Sequence, residues 1–248
     1  MALKVLMMGG RRCGKTSALA SLFDQMINGA TNDYLTVADD TNPNQRNDDG
    51  TEKGERIETL NNKKLELKHF IGKATNNTFL VDAGPTREYW DYTLRIQIPG
   101  TSRSTRLHFR DANGEFFESG GRHYDETMRF VQDCDVFIVV VDTPYMMAGK
   151  DFENEAANVV GPLHDFLTAV DTSKTKGKQV IFVPIKCEKW MQEGKADEVV
   201  AKVEATYSST IKHLVATCKT EISIIPIQTA GDILFSDLRD PYILYNSV

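Results

Sequence analysis

The nine residues Gly9-Gly10-Arg11-Arg12-Cys13-Gly14-Lys15-Thr16-Ser17 constrain the fold more than any other stretch of this 248-residue chain. They fit G-x-x-x-x-G-K-[ST], a phosphate-binding loop. Gly9 and Gly14 let the backbone curl, so that successive N–H groups face one concavity and cradle phosphate oxygens. Lys15 brings a point charge to the terminal phosphates. The Thr16 hydroxyl is a hard oxygen donor suited to Mg²⁺. Arg11, Arg12, Cys13 and Ser17 belong to the same run and complete the candidate cofactor-binding set there. A helix behind the loop would aim its positive end at the same anion.

The flanking residues supply the context that the loop requires. Ala2 to Met8 (ALKVLMM) is a short apolar run of strand type. Behind the loop, Leu19, Leu22, Phe23, Met26 and Ile27 fall at helical spacing, and Asn28-Gly29 is a stop signal. Further on, Thr93 to Ile98 and Thr105 to Arg110 alternate between apolar and polar residues around a short turn, which predicts an antiparallel hairpin with one wetter face. The rhythm then changes. Val136 to Val141 and Val180 to Pro184 are continuous apolar runs, expected of parallel strands covered on both faces. Apolar residues from Phe152 to Val170 predict one helix between them, and those from Val199 to Cys218 predict another. Ile222 to Ile227 is the last strand.

These elements predict a single α/β domain over residues 1–248: a three-layer, doubly wound, mostly parallel sheet with one antiparallel edge hairpin. An insertion occupies about residues 31–77. Its first part, Thr31 to Glu55, is rich in Asn and Asp and reads as a loop; Arg56 to Lys73 has helix-forming composition. Phe79-Leu80-Val81 reads as a short strand and Gly84-Pro85-Thr86 as a turn.

Bulk properties narrow the function classes. The net charge of −6, with both signs interspersed, argues against nucleic acid as the main partner. The longest wholly apolar run, Val136 to Val141, is too short to cross a bilayer, so no membrane insertion is expected. Cys13, Cys134, Cys187 and Cys218 show no metal-binding or redox spacing and read as free thiols, the usage of a reducing cytoplasm. The five histidines are scattered and form no metal-ligand pattern.

A second acidic residue has to stand opposite Thr16. The candidates are Asp111, which ends the second hairpin strand and is followed by Gly114, and Asp142, which ends the VFIVVV run. Asp111 is favoured because a glycine three residues on lets a backbone N–H approach a γ-phosphate.

Phosphate loop, hairpin, and D-x-x-G from Asp111 to Gly114 followed by Glu115 resemble the Ras-like, translation-factor-related class of P-loop GTPases. The glycine-rich loop, the insertion and the Gly84-Pro85-Thr86 turn are together similar to bacterial double-GTPase-type domains. The resemblance implies that Thr16, Thr86 and Asp111 serve Mg²⁺, and that the Gly114 N–H contacts the γ-phosphate. It implies that Lys186 and Glu188, in Ile185-Lys186-Cys187-Glu188, read a guanine base. Thr229-Ala230-Gly231 resembles the short loop whose backbone approaches guanine O6. Lys15, Gly114 and Glu115 are then the candidate catalytic positions.

Three departures shape the expectation. Ile185 replaces the polar residue with which the family ties its nucleotide loops together. Glu188 is one methylene longer than the family's aspartate. Glu115 stands where a glutamine often orients the attacking water; a carboxylate repels the γ-phosphate, so intrinsic hydrolysis should be slow. Arg12, Arg87 and Arg122 lie in or beside these loops and would neutralise developing charge. The resemblance therefore implies Mg²⁺-dependent binding of GTP and GDP, slow hydrolysis, and a nucleotide-controlled switch in the cytoplasm. An ATPase, or a nucleotide-binding interaction module with little hydrolysis, remains the alternative. The family's closing helix is not evident in Asp232 to Val248, which leaves a protein partner, a second copy or a deleted extension to cover the sheet.

Overall fold

The computed structural model describes residues 2–11, 13–28, 36–42, 44, 46, 89–112, 124–170, 177–228, 234–235 and 245–246. Strand β1 (Ala2–Met8) feeds the phosphate loop, and helix α1 (Lys15–Asn28) leaves it. Strand–loop–helix is the arrangement that the motif and its apolar flanks predict. The 14-residue helix ends at Asn28, where the Asn-Gly stop falls.

The hairpin forms as predicted, with the first strand starting three residues earlier and ending one residue sooner, and the second longer by one residue at each end. β3 (Trp90–Gln97) and β4 (Ser104–Asp111) pair antiparallel in one unbroken register, from Trp90 opposite Asp111 to Gln97 opposite Ser104. A strand within the expected loop adds to this edge: β2 (Thr36–Asp39) pairs antiparallel with β3. The asparagine- and aspartate-rich composition concealed it. The pairing is reinforced just beyond β2, where the Thr41 hydroxyl accepts from the Thr93 N–H at 3.1 Å and Asp40 bridges Arg95 and Arg106 at 3.3 Å each. The predicted helix at 56–73, the strand at 79–81 and the turn at 84–86 lie outside the described residues.

The other strands are parallel. β5 (Val136–Asp142), β6 (Gln179–Ile185) and β7 (Glu221–Ile224) continue the sheet in the order β2-β3-β4-β1-β5-β6-β7. β1 is central, parallel to both β4 and β5. Backbone bonds from the Ile225 N–H to the Phe182 carbonyl and from the Ile227 N–H to the Pro184 carbonyl carry the last pairing past β7, as the longer predicted run requires. Sheet and helices make the expected three-layer, doubly wound α/β fold.

Alternation along β1 shows how the two faces are filled. Val5 and Met7 face α1, packing with Leu19, Phe23, Tyr92, Leu94 and Phe109. Leu6 and Met8 face the opposite layer, with Phe137, Val139, Phe166, Phe182, Val203 and Tyr207. That layer contains α2 (Tyr124–Asp133), α3 (Thr143–Met147), α4 (Asp151–Asn158), α5 (Val160–Ala169), α6 (Glu188–Gln192), α7 (Ala196–Thr206) and α8 (Ser208–His213). α8 runs into a π-helical turn, Leu214–Cys218. Past the sheet, β8 (Leu234–Phe235) and β9 (Tyr245–Asn246) form a short antiparallel ribbon. No helix of the described residues is long and apolar enough to cross a membrane.

The helix predicted from Phe152 to Val170 is instead two helices, α4 and α5, broken at Val159 (φ 45°, ψ 46°). Pro162 supplies the reason. Its ring nitrogen has no proton to give the Asn158 carbonyl four residues back, and its ring would clash there. The chain turns through the left-handed region at Val159, and Pro162 falls in the first turn of α5. The Glu155 carboxylate then accepts from the Gly161 N–H at 2.7 Å, an anion at the positive end of the new helix. The freed Asn158 carbonyl accepts from the Tyr207 hydroxyl at 3.3 Å.

Candidate functional site

The phosphate loop lies at the C-terminal end of β1, the end of an open parallel sheet where ligands bind. Its backbone is shaped for close approach on two sides. Gly14 sits at φ +107°, and a Cβ there would lie 2.8 Å from Ile185 Cδ1 and 3.7 Å from Lys186 Cε. Gly10 has no such conformational need; a Cβ there would lie 1.7 Å from the Ala157 carbonyl oxygen at the end of α4. The loop is therefore walled by the end of β6 and by α4. Arg11 is exposed, Ser17 is half-buried in the first turn of α1, and Cys13 is buried.

Lys15 is only 6% exposed. A buried ammonium needs acceptors, and Nζ donates to the carbonyls of Gly9 at 3.0 Å and Gly10 at 2.7 Å. It also lies 3.9 Å from Cys13 Sγ. Burial pushes the Cys13 thiol pKa up even against the opposing charges of Lys15 and Lys186.

The first turn of α1 carries Thr16 to the end of β4, where its hydroxyl donates to Asp111 Oδ2 at 2.7 Å. Asp111 is fully buried opposite Trp90. A neutral hydroxyl and an anionic carboxylate, both hard oxygen donors on rigid elements, form a donor set that fits Mg²⁺ with water and phosphate completing the shell. Among the described residues no cluster of three or more His, Cys, Asp or Glu side chains offers a full protein cage.

Asp142, the other acidic candidate, is engaged elsewhere. It is buried at the end of β5 and meets Lys186 Nζ at 2.5 Å. Burial works against the charged Lys186, but the Asp142 carboxylate outweighs it and raises the pKa. Lys186 itself adopts φ +58°. Glu188 opens α6 and is fully buried, so the loop after β6 presents the Lys186 side chain more openly than the Glu188 carboxylate. Arg12, Thr86, Gly114, Glu115, Thr229 and Ala230, together with Arg87 and Arg122, lie outside the described residues.

Two local systems escaped sequence reasoning. One is Asn158, whose side chain grips the end of β5; the Gly161-Pro162 pair after it was the legible signal of a helix end. The other is Arg110, which forks onto Asp91 with two 2.8 Å hydrogen bonds. Its guanidinium lies 3.8 Å from the Tyr89 ring centroid and 3.9 Å from that of Phe130. Opposite charges on the wetter face of the hairpin signalled that pair, but only the register makes Asp91 and Arg110 direct neighbours.

No family model and no curated protein matches the chain. Among solved structures it is similar to the LeoA bacterial dynamin GTPase from ETEC, with 13% identity and a TM-score of 0.42 over 92% of this chain. It is also similar to the cytosolic domain of the T. maritima FeoB iron transporter in a GDP form, with 15% identity and a TM-score of 0.37 over 94% of this chain. The chain spans 30% and 58% of those two chains, respectively. At these scores the fold assignment rests on the strand order and loop placement described above.

Proposed function

We propose that this chain binds a guanosine triphosphate with Mg²⁺, hydrolyses it slowly, and uses the loss of the γ-phosphate as a switch. The observation that supports this most is the Thr16–Asp111 hydrogen bond beside the buried ammonium of Lys15. It sets a metal-compatible oxygen pair at the mouth of an anion-binding loop. In this reading the residues 1–248 form one domain with an insertion at about 31–77.

The roles follow from the chemistry of each group. The loop N–H groups and Lys15 hold the phosphates, with Arg11, Arg12, Cys13 and Ser17 lining the loop. Lys15 would exchange the Gly9 and Gly10 carbonyls for phosphate oxygens. Thr16, Thr86 and Asp111 would hold Mg²⁺, which when bound neutralises charge on the β- and γ-phosphates. The Gly114 N–H would contact the γ-phosphate. Water attacks the γ-phosphorus, the bond to the bridging oxygen breaks, and GDP and phosphate leave. Glu115 accepts a hydrogen bond from that water but repels the phosphate, which keeps the intrinsic rate low. Thr86 and Glu115 would report the γ-phosphate to a protein partner or to a second copy of the domain. Lys186 and Glu188, with the Thr229-Ala230 backbone, would read the base.

The Lys15→Ala protein should lose all nucleotide binding; undiminished binding would remove the premise. A second reading, adenine in place of guanine, draws on the full burial of Glu188 and on Ile185. Competition decides between them: ATP displacing labelled GTP as well as GTP does would end the guanine reading. Single-turnover assays test the hydrolytic role, and no phosphate release even with candidate partners would leave a nucleotide-binding interaction module.

A further inference from the structure

The end of β5 is held by a side chain where a neighbouring strand has run out. β1 pairs with β5 as far as Met8 opposite Val139, then turns away into the phosphate loop. β5 continues for three more residues to Asp142, paired on its other side with Ile185 of β6. On the vacated side, the Asp142 N–H donates to Asn158 Oδ1 at 2.6 Å, and Asn158 Nδ2 donates to the Asp142 carbonyl at 3.2 Å. One side-chain amide thus satisfies both backbone groups of a buried strand residue, as a paired strand would. Asn158 is itself fully buried and fixed: Nδ2 also donates to Asn154 Oδ1 at 2.8 Å, and its carbonyl accepts from Tyr207.

The anchored residue carries the carboxylate that receives Lys186. Lys186 leaves β6 at φ +58°, a left-handed conformation that residues with a side chain seldom adopt. Its Cε passes close over Gly14, and its ammonium ends on Asp142 Oδ2. Ile185, the residue before it, meets Gly14 only through an apolar methyl. No hydrogen bond from that side chain can tie the base-facing loop to the phosphate loop.

Resting on the nucleotide reading above, we infer that Asn158 and Asp142 are positioning residues for nucleotide binding. They hold Lys186 across the phosphate loop from the neighbouring strand, and so replace the polar tie that Ile185 cannot make. The break between α4 and α5 belongs to the same device. It ends α4 at Asn158, directs the amide at β5, and leaves the Ala157 carbonyl against Gly10. The two nucleotide loops are thereby referenced to one helix end.

The test is a double-mutant cycle on the full chain, read by the Kd for a fluorescent GDP. Asp142→Asn preserves shape while removing the charge, and Lys186→Met preserves the stem. Each single change is expected to weaken GDP binding by about tenfold or more, and the double variant should be no weaker than Lys186→Met alone. Lys186→Arg, which keeps the charge that meets Asp142, should bind GDP more tightly than Lys186→Met does. Additive losses across the cycle, or an unweakened Lys186→Met protein, would overturn the positioning role while leaving nucleotide binding in place. If Asp142→Asn does not fold, the contrast between Lys186→Met and Lys186→Arg still decides. Failure of the unmodified protein to bind GDP at all would overturn this inference together with the guanine reading.

Discussion

The Thr16 hydroxyl donates to Asp111 Oδ2 across 2.7 Å, joining residues 95 positions apart in the chain. The bond ties the first turn of α1 to the end of β4, the two elements that would share a divalent cation. Thr16→Ala and Asp111→Asn should each remove most of the magnesium-dependent part of nucleotide affinity, on the order of tenfold to a hundredfold. Titrating labelled nucleotide with magnesium present and then chelated measures it. An unchanged magnesium increment in both variants would separate the pair from the metal.

Gly10 is kept small by the Ala157 carbonyl. Adding one methyl at Gly10 forces a backbone shift in the phosphate loop or in α4. Overpacking of this kind costs about 1–3 kcal/mol, which is roughly 2–12 °C in melting temperature for a domain of this size. Gly10→Ala is therefore expected to melt lower and to bind nucleotide more weakly. Calorimetry on the variant checks this; a melting temperature equal to that of the unmodified protein would mean that α4 yields without cost.

The Asp91–Arg110 fork makes stability depend on acid. Burial alone would raise the Asp91 pKa, but hydrogen bonds from His108 and Arg110, with the charge of Arg110, hold it well below its ordinary 3.8. A carboxylate depressed on folding stabilises the protein above its unfolded pKa and loses that contribution as pH falls below it. Asp91→Asn should cost about 2 kcal/mol at pH 7, and the gap from the unmodified protein should shrink as pH falls from about 4 toward 2. Denaturant titrations across that range read the gap. A gap that stays constant would place the cost in packing instead.

All four thiols are free and buried. Burial pushes Cys134 and Cys187 up to about 12 and raises Cys13. Since only thiolate reacts, the native protein at pH 8 should resist thiol reagents for minutes, and four thiols should appear on denaturation. Prompt labelling of Cys13 in the native protein would show that the phosphate loop opens in solution.

The order of residues is enough to specify the phosphate loop, the strand before it and the helix behind it. Each is a local matter: curling glycines, an apolar run, and helical spacing ended by Asn28-Gly29. It also determined the hairpin, the buried parallel strands and the layered class, because apolar periodicity reports which faces are covered. The segment Ile185 to Glu188 was legible as a candidate motif, but not as an environment: the fold buries Glu188 and sends Lys186 to Asp142. Asp111 was favoured over Asp142 by the glycine that follows it, and the tertiary structure put it beside Thr16 by bringing the end of β4 to the first turn of α1. The tertiary structure alone decided that β2 pairs at the hairpin edge, where β3 offers backbone partners to a strand of four residues set in asparagine- and aspartate-rich surroundings. The role of Asn158 belongs there too. A carbonyl freed by Pro162 and a strand end abandoned by β1 come together only in the folded chain, and an amide satisfies the backbone groups that burial would otherwise leave without partners.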